Sequence, residues 1–266
     1  VNSTRHIDAA VFDAGVDAAP MCPTPGTPPQ FKGSLHQVSD NCVLYTLDEA
    51  GTRDAALCTS GVVNEPAVIS DGGGDGVLSP VTLVPPPASA PDMPRLSPEG
   101  DELWVRAGGK ILVYSHTGDH TWTFARDLGV SFQDFQESYS PPSRWVAGKR
   151  RFVATTNTTQ LLQEWEDDGT TVTMGLQYPS VQEGTSFFLF PTLTADGLRL
   201  VWSGSFPTDM TAASRTLYAD RKTVSDAFSL ATNLTTAPVV LDAFLTDDCG
   251  RLYTSGLGSI FFAEQL

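Results

Sequence analysis

Between residues 187 and 234 apolar and polar positions alternate with the two-residue period of strands, in the segments FFLFPTL, LRLVWSG, RTLYADR and AFSLATNL. The first two are joined by TADG (194–197), a tight turn that suits Asp and Gly, so the stretch predicts a four-stranded antiparallel meander. The same order runs from residue 93 as MPRL, SPEG, DELWVRA, KILVYS, HTGDH and WTFARDL. A weaker copy follows as RWVAGKRRFVATT, LLQEWE, DDGT and TVTMGLQY, and a last one as VVLDAFL, TDDCG, RLYTSG and SIFFAEQL. A damaged copy begins at VSDNCVLYT (38–46).

Turn residues at 42, 100, 148, 197 and 249 mark five units with a period of about fifty residues, in the range of propeller blades. One such meander cannot bury both faces, whereas five packed radially can, with only short protected edges. The expected fold is therefore all-β, a β-propeller with five blades of four strands. The stretch around PQFKGSL supplies the outer strand that the last unit lacks, and a sixth blade would have to lie within residues 59–92.

LSPEGDELW and LTADGLRLV resemble the TolB-type, WD-like propeller repeat found in exported bacterial proteins, over about residues 34–266. TDDCGRLY and SDNCVLY carry Cys where that repeat has Gly, and WVAGKRRFV lacks its Pro and acid. SHTGDHTW (115–122) and WEDDGTTV (165–172) partly resemble the Asp box of sialidase-like propellers, which implies structural turns between outer strands and no role in catalysis.

Composition sharpens the ends and the compartment. Residues 1–21, rich in Asp, Ala and Pro, have too few large apolar side chains for a core and read as a tether, leaving 22–266 as the propeller domain. That tail resembles those of exported myxobacteria-like proteins and lipoproteins, which implies a cleaved export signal and a lipid anchor before Val1. No segment approaches the ~20 consecutive apolar residues of a membrane helix. With 31 acidic and 16 basic residues the formal net charge is -15, which repels nucleic acid. Cys22, Cys42, Cys58 and Cys249 contain no CxxC pair and fit two disulfides. The hairpin between Cys42 and Cys58 sets these two opposite each other, leaving Cys22 for Cys249 beside the ring closure.

Candidate chemistry is sparse. The strands lining the axis carry Asp92 and Asp242 with Arg95 and Arg144 nearby, and a glycosidase needs two facing carboxylates. Trp145 and Trp165 are aromatic candidates for a binding surface, whereas Trp104 and Trp202 sit at packing positions. Asp71 and Asp75 in SDGGGDG offer hard oxygen ligands of the kind calcium accepts, and no other cofactor is indicated. His116 and His120 lie on a turn, where their spacing has no meaning for zinc. GxSxG, HExxH, P-loop and Rossmann signatures are missing. The leading expectation is a non-catalytic exported binding or scaffold module, periplasmic, outer-membrane-anchored or extracellular, showing its face to a protein or glycan partner. The alternatives are a small five-bladed glycoside hydrolase or lyase and a structural subunit of an extracellular assembly.

Overall fold

The computed structural model describes residues 22–60, 66–132, 138–156, 161–177, 189–204, 215–234, 242–256 and 258–266; the expected tether lies outside them. Strand β1 (His36–Asp40) belongs to the last sheet of the ring. The first blade contains β2 (Cys42–Leu47), β3 (Asp54–Cys58), β4 (Val68–Gly72) and β5 (Leu78–Pro80). The second contains β6 (Thr82–Val84), β7 (Asp92–Leu96), β8 (Glu102–Ala107), β9 (Lys110–Gly118) and β10 (Thr121–Ser131). The third is β11 (Arg150–Thr156), β12 (Leu161–Asp167) and β13 (Val172–Gln177). The fourth is β14 (Leu189–Leu193), β15 (Arg199–Gly204), β16 (Arg215–Asp220) and β17 (Thr232–Asn233). The fifth, β18 (Asp242–Leu245), β19 (Arg251–Gly256) and β20 (Ser259–Glu264), is completed by β1 on its outer edge. Together they form a five-bladed β-propeller without helix among the described residues.

The repeated phrase is the inner hairpin of each blade, and the burial of its second strand explains the recurrence. Leu103, Trp104 and Val105 of β8, and Leu200, Val201 and Trp202 of β15, are all buried, because side chains from both faces of a blade meet neighbouring blades. Buried ion pairs add to this packing. Arg150 lies 2.6 Å from Glu102 of the second blade and 2.9 Å from Asp167, and Arg221 of the fourth blade lies 2.7 Å from Glu164 of the third.

The structure departs from the sequence expectation in three places. Residues 59–92 hold no sixth blade: β4 and β5 complete the first blade, and β6 pairs in parallel with β10 as a fifth strand of the second. The closing strand is His36–Asp40 instead of PQFKGSL, although Phe31 of that segment bridges Gln265. The third blade's inner segment, Ser138–Ser143, is stitched by serines where prolines 141 and 142 have no N–H to donate. Ser140 and Ser143 donate backbone N–H to Val153 and Arg151 (2.8 and 2.7 Å), whose own N–H groups return to the serine hydroxyls at 2.9 Å each.

Both disulfides have the pairing favoured above, Cys42–Cys58 across β2 and β3 and Cys22–Cys249 at the closure, and no cysteine is left over. This is compatible with an oxidising compartment. Among the described residues no helix is long and apolar enough to cross a membrane.

Candidate functional site

Every inner strand runs from an entry end to the turn that leads into the second strand of its blade. Asp92 and Asp242 are the first residues of β7 and β18, so both stand at the entry end, on either side of the first blade. Just inside them the backbone is irregular in three blades. Leu44, Met93 and Phe190 have φ of 58, 51 and 52°, and the register shifts across each of them. These are bulges that re-aim side chains, each costing on the order of 1–3 kcal/mol. Leu44, Met93 and Phe190 belong, with Tyr139 of the third blade, to one apolar cluster.

A belt of side-chain-to-backbone hydrogen bonds joins all five inner segments. Thr46 Oγ1 accepts Leu96 N–H (3.2 Å), Arg95 Nε donates to Tyr139 O (3.1 Å), and Ser138 Oγ accepts Phe190 N–H (2.9 Å). Thr192 Oγ1 donates to Ala243 O (2.5 Å), and the Asp242 carboxyl closes the circle by accepting from Leu44 and Tyr45 N–H.

Asp242 also accepts from Ser255 Oγ. Burial pushes its pKa up to about 6, while the Arg95 guanidinium and the N–H donors pull it back. Arg95 is itself fully buried; desolvation draws its pKa down, Asp242 opposes this, and its Nη2 has no hydrogen-bond partner among the described residues. Asp92 is more open and is held by Arg106 through contacts of 2.7 Å from both Nε and Nη2. Asp92 and Asp242 therefore occupy equivalent register positions but different environments.

At the turn end, Arg144 of the third blade crosses the axis to make a two-pronged pair with Glu49 of the first. Its N–H donates to Ala195 O of the fourth blade (2.7 Å), and Ala195 N–H donates to the Asp247 carboxylate of the fifth. Burial pushes the Asp247 pKa up to about 7; the Ala195 N–H opposes this and Glu49 reinforces it. The side chains of Arg144 and Glu49 are 42% and 39% exposed, so this cluster meets solvent. Glu49 and Asp247 had no signal in the sequence beyond their place in acidic turns.

A stability consequence follows from the two axial acids. Both Asp242 and Asp247 have folded pKa values above the unfolded value near 4. At these two groups the folded state binds more protons than the unfolded one, and the stability they contribute is full below about pH 4 and declines as pH rises towards about 7. Melting at about pH 5 is expected several degrees above melting at about pH 8, with the difference reduced in Asp247→Asn; an unchanged difference in that variant would assign the effect to general charge repulsion.

The remaining predicted residues have other work. Trp165 lies within the third blade and stacks on Phe152 at 6.4 Å, away from either mouth. Asp71 is buried and accepts from Trp122 Nε1 at 2.6 Å and from His120 Nδ1, joining the first two blades. Asp75 caps its own turn through Val77 N–H (3.0 Å), while the glycine loop turns the N–H groups of Gly74 and Gly76 onto Asp54. Asp71 and Asp75 are thus not brought together, and among the described residues no group of three or more His, Cys, Asp or Glu is placed to hold a metal. Trp145 stands at the turn end and is 40% exposed.

No protein-family model matches the sequence, and no curated protein matches it. Solved structures do match in fold. The exo-β-1,3-galactanase of Phanerochaete chrysosporium in complex with β-1,3-galactotriose is 12% identical, with a TM-score of 0.54 over 90% of this chain and 64% of that one. A protein of Bifidobacterium bifidum s17 assigned as an exo-β-1,3-galactanase is 11% identical, with a TM-score of 0.53 over 89% of this chain and 92% of that one. The chain thus spans less than two thirds of the fungal enzyme. A TolB-type protein of Agrobacterium tumefaciens aligns with a TM-score of 0.45 at 11% identity over 83% of this chain and 75% of that one, a likeness too slight to carry weight. At these identities the shared property is the fold. The fungal and bifidobacterial structures are described as galactanases, which sets aside the expectation of a non-catalytic binding or scaffold module in favour of its glycoside hydrolase alternative.

Proposed function

We propose that this propeller hydrolyses glycosidic bonds at the entry end of its axis, with Asp242 as the acid and Asp92 as the second carboxylate. The observation that carries this is the placing of Asp92 and Asp242 as the first residues of β7 and β18, on either side of the first blade, with burial raising the Asp242 carboxyl to about 6 so that it can hold a proton under mildly acidic conditions. Glycoside hydrolysis needs such an acid on the departing oxygen and a carboxylate on the other side of the sugar, either as nucleophile or as base for water. Asp92 and Asp242 start separate inner strands, so they approach the entry from two sides, and Arg106 fixes the orientation of Asp92. Arg95 and Ser255 tune and orient Asp242. The net charge of -15 favours neutral glycans over polyuronides. The two disulfides and the tail composition support an exported setting.

The test is release of reducing ends from β-1,3-galactan and a panel of neutral polysaccharides. Asp242→Asn and Asp92→Asn are each expected to lower kcat by about 10²–10⁴, and the wild-type rate to fall as pH rises above about 6 and the acid loses its proton. Full activity in both variants, or no release from any polysaccharide, would overturn the proposal.

A further inference from the structure

Trp104, Trp122 and Trp202 are completely buried, but Trp145 leaves two fifths of its surface in water at the turn end, next to Val146, which is 51% exposed. Its inner face is packed. The Arg150 guanidinium lies between two indoles, 4.8 Å from the Trp104 ring centre and 4.5 Å from that of Trp145. Arg150 is in turn clamped by Glu102 and Asp167, so the inner face of Trp145 rests on a fixed buried cation. At the ring's rim stands Gly169, where even a Cβ would come within 3.4 Å of Trp145 Cη2. The neighbouring residue in sequence, Arg144, carries the exposed pair with Glu49, and Asp247 lies beside that pair.

A flat, half-open indole followed back along the chain by Arg144, which carries an exposed charged pair, matches a pyranose ring. Such a sugar presents a patch of C–H bonds on its face and a rim of hydroxyls that donate and accept. An indole already immobilised loses little freedom when covered, which makes it an efficient contact. A scattered surface residue would not need the stack beneath it.

We propose that Trp145 is the stacking platform of a second glycan subsite, at the turn end, in which a neutral pyranose lies on the indole and its hydroxyls bond to Glu49, Arg144 and Asp247. The inference takes its ligand class from the glycan-cleaving reading above. It places this subsite at the end of the axis opposite Asp92 and Asp242, so it holds a chain without cleaving it. The carboxylates and the acidic surface select against uronic acids.

Isothermal titration calorimetry with β-1,3-galactotriose, cellotriose, xylotriose and trigalacturonate tests it. At least one neutral trisaccharide is expected to bind and trigalacturonate not to bind. Trp145→Ala should weaken binding by about tenfold or more, and Trp145→Phe, which keeps a flat ring, by about threefold or less. Trp145→Ala also removes the ring that covers Arg150, so the melting temperature is measured alongside and binding is compared well below it, with Trp145→Phe keeping a ring over the guanidinium. In Asp242→Asn the binding at this end should be unchanged. Binding that survives while no polysaccharide is cleaved would sink the cleavage reading alone. Failure of every neutral trisaccharide to bind, or equal affinity in Trp145→Ala, overturns the subsite.

Discussion

Replacing Cys22 and Cys249 together by Ser is expected to lower the unfolding free energy by about 3–5 kcal/mol, more than the ~2–3 kcal/mol expected for the Cys42/Cys58 pair. The difference follows from what each bond encloses. Cys22 and Cys249 are 227 residues apart in sequence, whereas Cys42 and Cys58 are 16 apart and already paired across one hairpin. Closing the longer loop removes more freedom from the unfolded chain. The longer bond also holds a segment that ties blades to one another. Arg199 Nη2 donates to Pro23 O at 2.8 Å, Gly26 N–H to Asp220 Oδ2 at 2.6 Å, and Lys32 N–H to Glu264 O at 2.8 Å. Phe31 in the same segment is 1% exposed and packs with Val201, Tyr218 and Leu252. Urea unfolding of the two double variants under non-reducing conditions measures both losses. Equal losses would mean that β1 pairing with β20 closes the ring unaided.

The blades were legible because their turns are chemically distinctive. TADG and SPEG place Gly197 and Gly100 at φ of 71 and 70°, a conformation glycine adopts without strain, and the apolar strands on either side follow from burial on both faces. The last unit keeps this turn with Cys249 at φ of 58°, where the residue is tied into the disulfide. What escaped was structure without an alternating pattern. The third blade's inner segment is written SYSPPS, in which serine hydroxyls substitute for the missing proline donors, and β6 is three residues long.

The candidate site was legible only as a set of positions. Asp92 and Asp242 were visible as the acids that open inner strands, but the setting of Asp242 comes from Leu44 and Tyr45 of the first blade and Arg95 of the second, many residues away in sequence. The belt of Thr46, Arg95, Ser138, Thr192 and Asp242 has a partial signature, a hydrogen-bonding residue directly before the Leu that ends an inner strand, seen at Thr46, Arg95 and Thr192. The Glu49–Arg144 pair crosses between non-adjacent blades, and nothing local in either turn announces it.

Arg95→Met is expected to destabilise the protein by about 3 kcal/mol at about pH 8, and by only about 1 kcal/mol at about pH 5. Arg95 contributes in two ways. It donates Nε–H to Tyr139 O, which joins the second and third blades, and its charge offsets that of the buried Asp242. Methionine fills similar volume but does neither. At about pH 8 Asp242 must then be ionised on the axis without its compensating cation, and a buried charge that loses its partner is costly. The sign of the pH dependence follows from linkage. Burial has already raised the folded pKa of Asp242 above its unfolded value, and removing Arg95 raises it further. The two proteins share one unfolded state, so the added cost appears as pH rises past the wild-type folded pKa near 6 and keeps growing until it passes the new folded pKa. Below that range Asp242 is protonated in either protein and only the lost hydrogen bond remains. Introducing Asp242→Asn into Arg95→Met should remove the pH dependence and restore most of the stability at about pH 8, because the amide brings no charge to bury. Urea unfolding of the wild type, both single variants and the double variant at the two pH values gives the coupling directly. Additive losses with no pH dependence would show that Arg95 acts through the Tyr139 bond alone, and that Asp242 keeps its pKa near 6 without help from the guanidinium beside it.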